Sequence, residues 1–326
     1  MDTLKTLSIR KHIPLTNRLP ETRLATQFDK AAAGWVVYGH YLCPSQFEDI
    51  DFYVGEYNAI VDVWKVGDYE VALMAGELTE QHEEILQALE LDYSSLNDVP
   101  ELSKPGLIVL DMDSTAIQIE CIDEIAKLAG VGEEVAEVTE RAMQGELDFE
   151  QSLRQRVGKL AGADESILQQ VRNVLPLMPD LPELIATLQR FGWKTAIASG
   201  GFTYFSDHLQ QLLGLDHAQS NQLEIVEGKL TGKVLGDVVC AQTKADILVQ
   251  LAEQFDIEPH NTIAVGDGAN DLVMMKAAGL GIAYHAKPKV EQAAQSAVRY
   301  AGLGGIICVL SALLVKQKRV SLKPLA

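Results

Sequence analysis

Short apolar runs alternate with longer helical stretches between residues 106 and 283. The runs at 106–110, 195–198, 262–265 and 280–283 are apolar at nearly every position, so both faces of each strand would be buried. Buried strands separated by helices are typical of a parallel sheet that is covered by helices on both sides. The pattern therefore predicts an α/β fold for this part of the chain.

A polar cluster follows three of these runs, at the point where each strand would end. Because the carboxyl ends of parallel strands meet at one edge of a sheet, we expect the three clusters to converge there and to bind a ligand. The clusters are residues 111–115 (DMDST), 199–201 (SGG) and 266–271 (GDGAND).

Asp111 and Asp113 could perform chemistry on a phosphate ester. A carboxylate can attack phosphorus to give a mixed anhydride, and a second carboxyl group can protonate the leaving oxygen and then activate water. Two adjacent carboxylates repel each other, so a divalent cation is expected, and oxygen ligands favour Mg2+. Taken alone, this Asp-x-Asp pattern is also compatible with a simple turn or a metal-binding loop.

The second cluster suits contact with phosphate, because Ser199 offers a hydroxyl and Gly200 lets backbone N–H groups approach an anion. A plain turn into a helix is the alternative. In the third cluster, Asp267 could bind a metal while Asn270 and Asp271 hold ligands in place. A glycine-rich turn with an Asp helix cap would look the same.

Lys244 is a candidate for the cation that a phosphoryl site needs. It follows residues 236–243, which lack helical periodicity, and it would open a helix over 245–255. In isolation, Lys244 would be read as a surface lysine.

Residues 119–178 form an insertion that is too long for one crossover helix. Apolar spacing predicts helices at 121–129, 133–144, 148–160 and 164–174. A helical insertion at this position could close over the site as a cap and exclude water.

Residues 1–104 are predicted to form a separate, small α+β domain, with the main domain at 105–326. Runs rich in β-branched and aromatic residues predict strands, two of which are joined at Gly67-Asp68 as a hairpin. No motif in this domain indicates catalysis. The predicted strands are 34–41, 58–66 and 69–74, followed by a helix at 80–91 and a linker at 92–105.

The formal net charge is −19 and is spread over both parts of the chain. Such a field repels nucleic acid and anionic membranes, so neither is an expected partner. The four scattered cysteines and the lack of an apolar stretch in residues 1–15 favour the reducing cytoplasm. The apolar run at 306–315 is too short to cross a bilayer and predicts a buried helix.

The clusters, in this order, resemble the signature motifs of the haloacid dehalogenase (HAD) superfamily. The similarity covers about residues 107–283 and implies a Rossmannoid parallel sheet with a helical cap insertion. Within the superfamily, the closer resemblance is to the phosphoserine phosphatase family, through Glu120 in the pattern DxDST-x4-E, the segment 152–157 (SLRQRV) and the segment 199–202 (SGGF).

That resemblance implies Mg2+-dependent hydrolysis of O-phospho-L-serine to L-serine and phosphate, the last step of serine biosynthesis. Asp111 would be the phosphorylated nucleophile and Asp113 the general acid and base. The implied metal ligands are Asp111, the main-chain carbonyl of Asp113, and Asp267, with Asp271 supporting them. The implied substrate-binding residues are Glu120 for the ammonium, Arg156 for the carboxylate, Ser199, Gly200, Lys244 and Asn270 at the phosphate, and Met143 and Phe149 on the cap.

Some relatives carry an ACT domain, a ferredoxin-like unit that binds amino acids, at the position of residues 1–104. The predicted strands are compatible with such a unit, and a regulatory role or a homodimer formed through it is a hypothesis. Alternative functions are a phosphatase for another small ester, an ion pump and a non-catalytic sensor of serine or phosphate. A pump would need several membrane-spanning helices, and the pair Glu120 and Arg156 favours an amino-acid substrate.

Overall fold

The chain folds around two β-sheets. A computed structural model describes residues 5–19 and 30–317. The prediction that residues 1–15 lack the apolar stretch of a secretory signal therefore falls partly, at residues 1–4, outside the described residues.

The first sheet is antiparallel and has five strands in the order β1-β3-β4-β2-β5. From β2 onward the chain runs strand, helix, strand, strand, helix, strand, which is the ferredoxin-like arrangement that the sequence suggested. Helices α2 and α3 cover one face. The elements are β1 (Ile9–Lys11), α1 (Ile13–Arg18), β2 (Ala33–Gly39), α2 (Pro44–Val54), β3 (Ile60–Val66), β4 (Tyr69–Ala75), α3 (Glu80–Ala88) and β5 (Asp92–Ser95).

The predicted linker at 92–105 is wrong in its first part. Residues Asp92–Ser95 form strand β5, which pairs antiparallel with β2 from Trp35↔Ser95 to Tyr38↔Asp92. The polar residues of this segment suggested a loop, but they form a strand at the edge of the sheet. An edge strand pairs with a neighbouring strand on one side only. The hairpin of β3 and β4 across Gly67-Asp68 is confirmed.

The second sheet has seven strands in the order β12-β11-β10-β6-β7-β8-β9, and all pairs are parallel except β8 with β9. The four predicted strands are confirmed as β6, β7, β10 and β11. Two strands that follow β7 and a short one near the C-terminal end were not predicted. The strands are β6 (Leu107–Leu110), β7 (Lys194–Phe202), β8 (His217–Val226), β9 (Lys229–Leu235), β10 (Thr262–Gly266), β11 (Leu280–Tyr284) and β12 (Ser296–Val298).

The predicted cap is helical, as expected: α4 (Cys121–Ala129), α5 (Gly132–Met143), α6 (Phe149–Lys159) and α7 (Ser166–Asn173). Its far side is tied to the hairpin of β8 and β9 by backbone bonds, from Gly162 N–H to Leu230 O at 2.8 Å and from Glu165 N–H to Gly228 O at 2.9 Å. The cap is therefore supported by the sheet on one side as well as by its two connections.

The helices between Leu181 and Glu291 connect the strands of the second sheet, and one more helix follows its last strand. Helix α10 begins at Ala241, so the prediction that Lys244 opens a helix after an irregular segment is wrong by about one turn. These helices are α8 (Leu181–Arg190), α9 (Thr203–Leu213), α10 (Ala241–Gln254), α11 (Leu272–Ala277), α12 (Pro288–Glu291) and α13 (Gly305–Lys316).

Helix α13 is the buried helix predicted at 306–315, and it packs against β2, β3, β4 and β5 of the first sheet. Its apolar side chains share one core with Val36, Tyr38 and Val71 of the first sheet. The indole N–H of Trp64 donates to Ser311 Oγ at 2.9 Å. Both faces of the first sheet are thus covered within one chain. In the described part of the chain, no helix is long and apolar enough to cross a membrane.

Asp92 fixes the junction of the two sheets. Its buried carboxylate accepts three backbone N–H groups, from Arg299 at 2.6 Å, Tyr300 at 3.1 Å and Ala301 at 2.7 Å. One side chain on β5 therefore holds the segment that leads into α13.

We expect Asp92→Ala to lower the free energy of unfolding by about 3 kcal/mol, because it leaves three backbone donors, one buried and two partly buried, without an acceptor. Urea denaturation followed by circular dichroism measures this loss. Asp49→Ala, at an exposed position on α2, should change the free energy by less than about 0.5 kcal/mol. Equal losses in the two variants would contradict the assignment.

Candidate active site

Asp111 lies at the carboxyl end of β6, between the ends of β7 and β10. Its backbone N–H donates to Val265 O at 2.9 Å, which continues the pairing with β10. Its carboxylate oxygen Oδ1 accepts the N–H of Met112 at 2.8 Å. The side chain is therefore fixed by its own loop at the edge where ligands of such sheets bind.

Lys244 reaches this edge from α10 and is 1% exposed. Its Nζ lies 2.8 Å from Asp111 Oδ1 and 2.7 Å from Asp271 Oδ1. Burial alone would lower the pKa of Lys244, but the carboxylates of Asp111 and Asp271 raise it above its usual value. The ammonium is thus charged at neutral pH and offsets part of the negative charge of both acids.

Asp113 accepts the backbone N–H of Cys121 at 3.2 Å and faces the same cavity as Asp111. Burial, together with the charges of Glu120 and Asp111, raises the pKa of Asp113 to about 8. A carboxyl group with such a pKa is largely protonated at neutral pH and can donate a proton.

The glycine-containing end of β7 approaches both the cap and the acids. A Cβ on Gly200 would lie 2.6 Å from the Phe149 ring of the cap, and a Cβ on Gly201 would lie 2.7 Å from Asp113 Oδ2. Glycine is therefore required at both positions for close approach. The buried side chain of Asn221 on β8 donates to Gly200 O at 2.8 Å and fixes this end of β7.

A cavity of about 260 Å³ lies between these elements and the cap. Arg156 extends into it from α6, and its Nε is buried without a hydrogen-bond partner in the described part of the chain. Glu120 lies at the mouth, where Ser114 Oγ donates to its Oε1 at 2.7 Å. The lining residues are Asp111, Asp113, Glu120, Ile122, Phe149, Leu153, Arg156, Ser199, Gly200, Gly201, Phe202, Asp267 and Asn270.

The acids of the site could hold a divalent cation. Carboxylate oxygens of Asp111, Asp267 and Asp271 lie within 4.8 Å of one another. Asp271 is already bonded to Lys244 and accepts the Gly268 N–H at 3.1 Å, whereas Asp267 receives only a long bond of 3.3 Å from Thr115 Oγ1 among the described side chains. Burial, together with the charges of Asp111 and Glu120, raises the pKa of Asp267 to about 6. This all-oxygen donor set suits Mg2+.

The structure places most of the predicted site residues together. Asp111, Lys244 and Asp271 are in direct contact, and eight other predicted residues line the cavity with Asp111. Met143 differs: it is 69% exposed and lines neighbouring grooves, not this cavity. Its contact with a substrate stays a prediction. Sequence reasoning missed Thr115 and Asn221; Thr115 stood within the DMDST motif, but Asn221 lies on a strand that was not predicted.

A parallel sheet with this strand order, a helical cap and an Asp-x-Asp loop at the end of the central strand defines a class of hydrolases. A family model described as haloacid dehalogenase-like hydrolase matches residues 105–279, more than half of the chain. A second model, described as a domain of unknown function (DUF5609), matches residues 31–95. The chain belongs to the haloacid dehalogenase-like hydrolases.

Comparison with relatives narrows the assignment from this class of hydrolases to one family within it. The chain is 73% identical over 323 residues to the phosphoserine phosphatase of Vibrio cholerae serotype O1, covering 99% of this chain and 98% of the relative. A crystal structure of a probable phosphoserine phosphatase from Vibrio cholerae, in an unliganded form, superposes with a TM-score of 0.93 at 73% identity, covering 99% of this chain and 100% of that one. Within its class, the chain belongs to the phosphoserine phosphatase family.

A second solved structure is described as a phospho-aspartyl intermediate analogue of phosphoserine phosphatase. It is 41% identical to this chain, covers 63% of it and 98% of its own length, and superposes with a TM-score of 0.59.

The raised pKa of Asp113 predicts a pH-dependent stability of the metal-free protein. The folded state holds a proton on Asp113 up to about pH 8, whereas the unfolded chain releases it near pH 4. Stability contributed by this group therefore falls as the pH rises between these values. In EDTA at pH 8, we expect Asp113→Asn to raise the free energy of unfolding by about 1–3 kcal/mol.

Urea denaturation at pH 5, 6.5 and 8 measures this effect, with Asp49→Asn as the control. The gain from Asp113→Asn should shrink towards pH 5. A gain that is independent of pH, or a loss at pH 8, would show that Asp113 is not held in its protonated form.

Proposed function

We propose that this protein hydrolyses O-phospho-L-serine to L-serine and phosphate through a phosphorylated Asp111. One observation carries the proposal: Asp111, Asp113 and Arg156, whose Nε has no hydrogen-bond partner among the described residues, line one cavity, and Lys244 is bonded to Asp111 behind it. These groups match a nucleophile, an acid, a carboxylate receptor and a charge-neutralising cation. The solved relative described as a phospho-aspartyl intermediate analogue supports the covalent step.

In the first step, the Asp111 carboxylate attacks phosphorus, and the bond between phosphorus and the serine oxygen breaks. Asp113 transfers its proton to the departing serine oxygen, for which its raised pKa is suited. The Ser199 hydroxyl and backbone N–H groups near Gly200 bind the phosphoryl oxygens. Lys244 stabilises the negative charge on Asp111 and the phosphoryl group.

In the second step, Asp113 is ionised and accepts a proton from a water molecule. The water oxygen attacks the phosphorus of the aspartyl phosphate, the bond from phosphorus to Asp111 breaks, and phosphate leaves. Asp111 and Asp113 return to their starting forms, so the cycle balances. The cap keeps other water away, because Phe149 packs directly on Gly200.

We infer that Mg2+ is the cofactor and that Asp111, the Asp113 carbonyl and Asp267 hold it, with Asp271 and Asn270 in supporting positions. When bound, Mg2+ would neutralise phosphoryl charge and orient the phosphate. The fit rests on the oxygen donor set and on the excess of acids over cations in the cavity.

Arg156 and Glu120 account for the preference for an amino-acid ester. Burial lowers the pKa of Arg156, although Asp123, Glu120 and Asp113 raise it in part, and the guanidinium remains charged. A guanidinium binds a carboxylate through paired hydrogen bonds, and the Glu120 carboxylate complements an ammonium. Serine formed in this way would complete serine biosynthesis, and the protein would act in the cytoplasm.

We expect strong release of phosphate from L-phosphoserine in Mg2+ and little in EDTA. Phosphothreonine, phosphoethanolamine and a sugar phosphate should react more slowly, since each lacks the fit or a charged group that Arg156 or Glu120 requires. A phosphate assay with each ester measures this. Asp111→Asn is the matched control and should retain the fold while losing activity by at least about 1,000-fold.

Preference for another ester with the same Mg2+ dependence would keep the role of Asp111 but remove those of Glu120 and Arg156. Hydrolysis by Asp111→Asn at the wild-type rate would contradict the covalent mechanism.

Arg156→Ala should lower kcat/KM for phosphoserine by about 100-fold, because a buried charge pair with the substrate carboxylate is lost. Its effect on p-nitrophenyl phosphate, which has no carboxylate, should be much smaller. Arg154→Ala is the control, since Arg154 lies on the same helix but is exposed and paired with Glu150 at 2.8 Å. Equal losses on both substrates would exclude Arg156 from carboxylate recognition.

A further inference from the structure

The two connections of the cap form a short antiparallel ribbon, here called the hinge ribbon, made of residues 116–118 and 176–178. Ile117 pairs with Leu177. Backbone bonds join Gln118 N–H to Pro176 O at 2.9 Å and Met178 N–H to Ala116 O at 2.9 Å. Any movement of the cap relative to the second sheet must therefore bend or shift this ribbon.

The outgoing end of the hinge ribbon is anchored outside the hydrolase domain. Tyr69 of β4, in the N-terminal sheet, donates its hydroxyl to Asp180, two residues after the ribbon. The same hydroxyl oxygen accepts the N–H of Gly302 at 2.9 Å. Leu303 N–H donates to Pro179 O at 3.0 Å. The N-terminal sheet, the segment before α13 and the cap connection thus meet at one point.

The residues around Asp180 allow the close approach that its contact with Tyr69 requires. A Cβ on Gly302 would lie 2.7 Å from Asp180 Oδ2, and one on Gly304 would lie 2.8 Å from it, so only glycine allows the segment to approach. Asp180 itself has a left-handed backbone with φ of 64°, which costs energy for a residue other than glycine and needs support from its neighbours.

Tyr69 remains a donor at every working pH. Burial and the neighbouring Asp180 raise the pKa of its hydroxyl well above the usual range. A hydrogen bond from a neutral hydroxyl to a half-buried carboxylate is among the stronger ones in proteins.

We propose that Tyr69 is a positioning residue for catalysis: through Asp180 it fixes the hinge ribbon so that the cap rests in its closed position over the active site. The N-terminal domain thereby favours the closed state without contributing a group to the cavity. This inference rests on the proposed function only for its kinetic consequence, because the fixing of the ribbon is a property of the fold.

The kinetic consequence follows from where the substrate contacts lie. Arg156 and Phe149 are on the cap, whereas Asp111 and Ser199 are on the sheet. If the closed state is populated less, the apparent affinity for a substrate that needs both sides falls by the same fraction. A substrate that does not use Arg156 should be affected less.

The test compares Tyr69→Phe with Tyr300→Phe in the full-length protein. Tyr300 also links the two parts of the chain, because its hydroxyl donates to Gln87 O at 3.0 Å, but it does not contact the hinge ribbon. Hydrogen exchange followed by mass spectrometry reports on peptides that contain Gln118 and Met178, with peptides from β6 as the internal reference. KM and kcat are measured for phosphoserine and p-nitrophenyl phosphate.

We expect Tyr69→Phe to accelerate exchange in the hinge ribbon by about 10-fold, since a hydrogen bond to a charged group is lost, while β6 exchanges at the wild-type rate. KM for phosphoserine should rise about threefold to tenfold with kcat changed by less than about twofold, and KM for p-nitrophenyl phosphate should rise less. Tyr300→Phe should match the wild type in all of these.

Unchanged exchange in the hinge ribbon of Tyr69→Phe would overturn the inference, and so would equal changes in Tyr300→Phe or a uniform change that includes β6. Faster ribbon exchange with unaltered KM would also overturn it, because the ribbon would then not control closure. A wild-type protein inactive on phosphoserine would contradict the proposed function instead, and the exchange experiment would still test the anchoring of the ribbon.

Discussion

The buried ammonium of Lys244 makes the rest of the site possible. Two carboxylates, Asp111 and Asp271, lie within 2.8 Å of its Nζ at the edge of a sheet that is otherwise apolar. Without this charge, the two buried carboxylates would repel each other with no opposite charge from the protein beside them, and an unpaired buried carboxylate is strongly unfavourable. The lysine therefore offsets the negative charge of Asp111, the proposed nucleophile, and is connected through Asp271 to the loop around Gly268.

The predictable part of the fold is the part with a strong local signal. The runs that form β6, β7, β10 and β11 are apolar on both faces, and at four or five residues between turns they are too short for a typical helix. Strand β8 was missed because its exposed, polar residues resemble a loop, although it pairs with both β7 and β9. Strand β5 was missed because most of its residues are polar, although they are buried. Its place is decided by pairing with β2, which the sequence does not display.

The residues of the site also divide into those that local sequence motifs predict and those that they do not. Asp111, Asp113, Ser199 and Asp267 follow from motifs at strand ends, where topology brings them together, whereas Lys244 was a candidate only because a phosphoryl site needs a cation. Arg156 and Glu120 needed a family resemblance, because an arginine on an amphipathic helix looks like a surface residue. Asn221 and the Tyr69–Asp180 contact could not be predicted, since each joins elements that are far apart in the chain. The position of Met143 depends on the orientation of α5, which no local pattern determines.

The position of helix α13 near the end of the described chain has a consequence for folding during synthesis on the ribosome. The helix covers the inner face of the first sheet, yet it is the last helix of the described chain, roughly two hundred residues after β4. At a synthesis rate of about 5–20 residues per second, that face waits on the order of tens of seconds for its cover. A nascent chain on the ribosome thus displays an apolar β-surface long before it can be buried, and this surface is where a chaperone would first engage it.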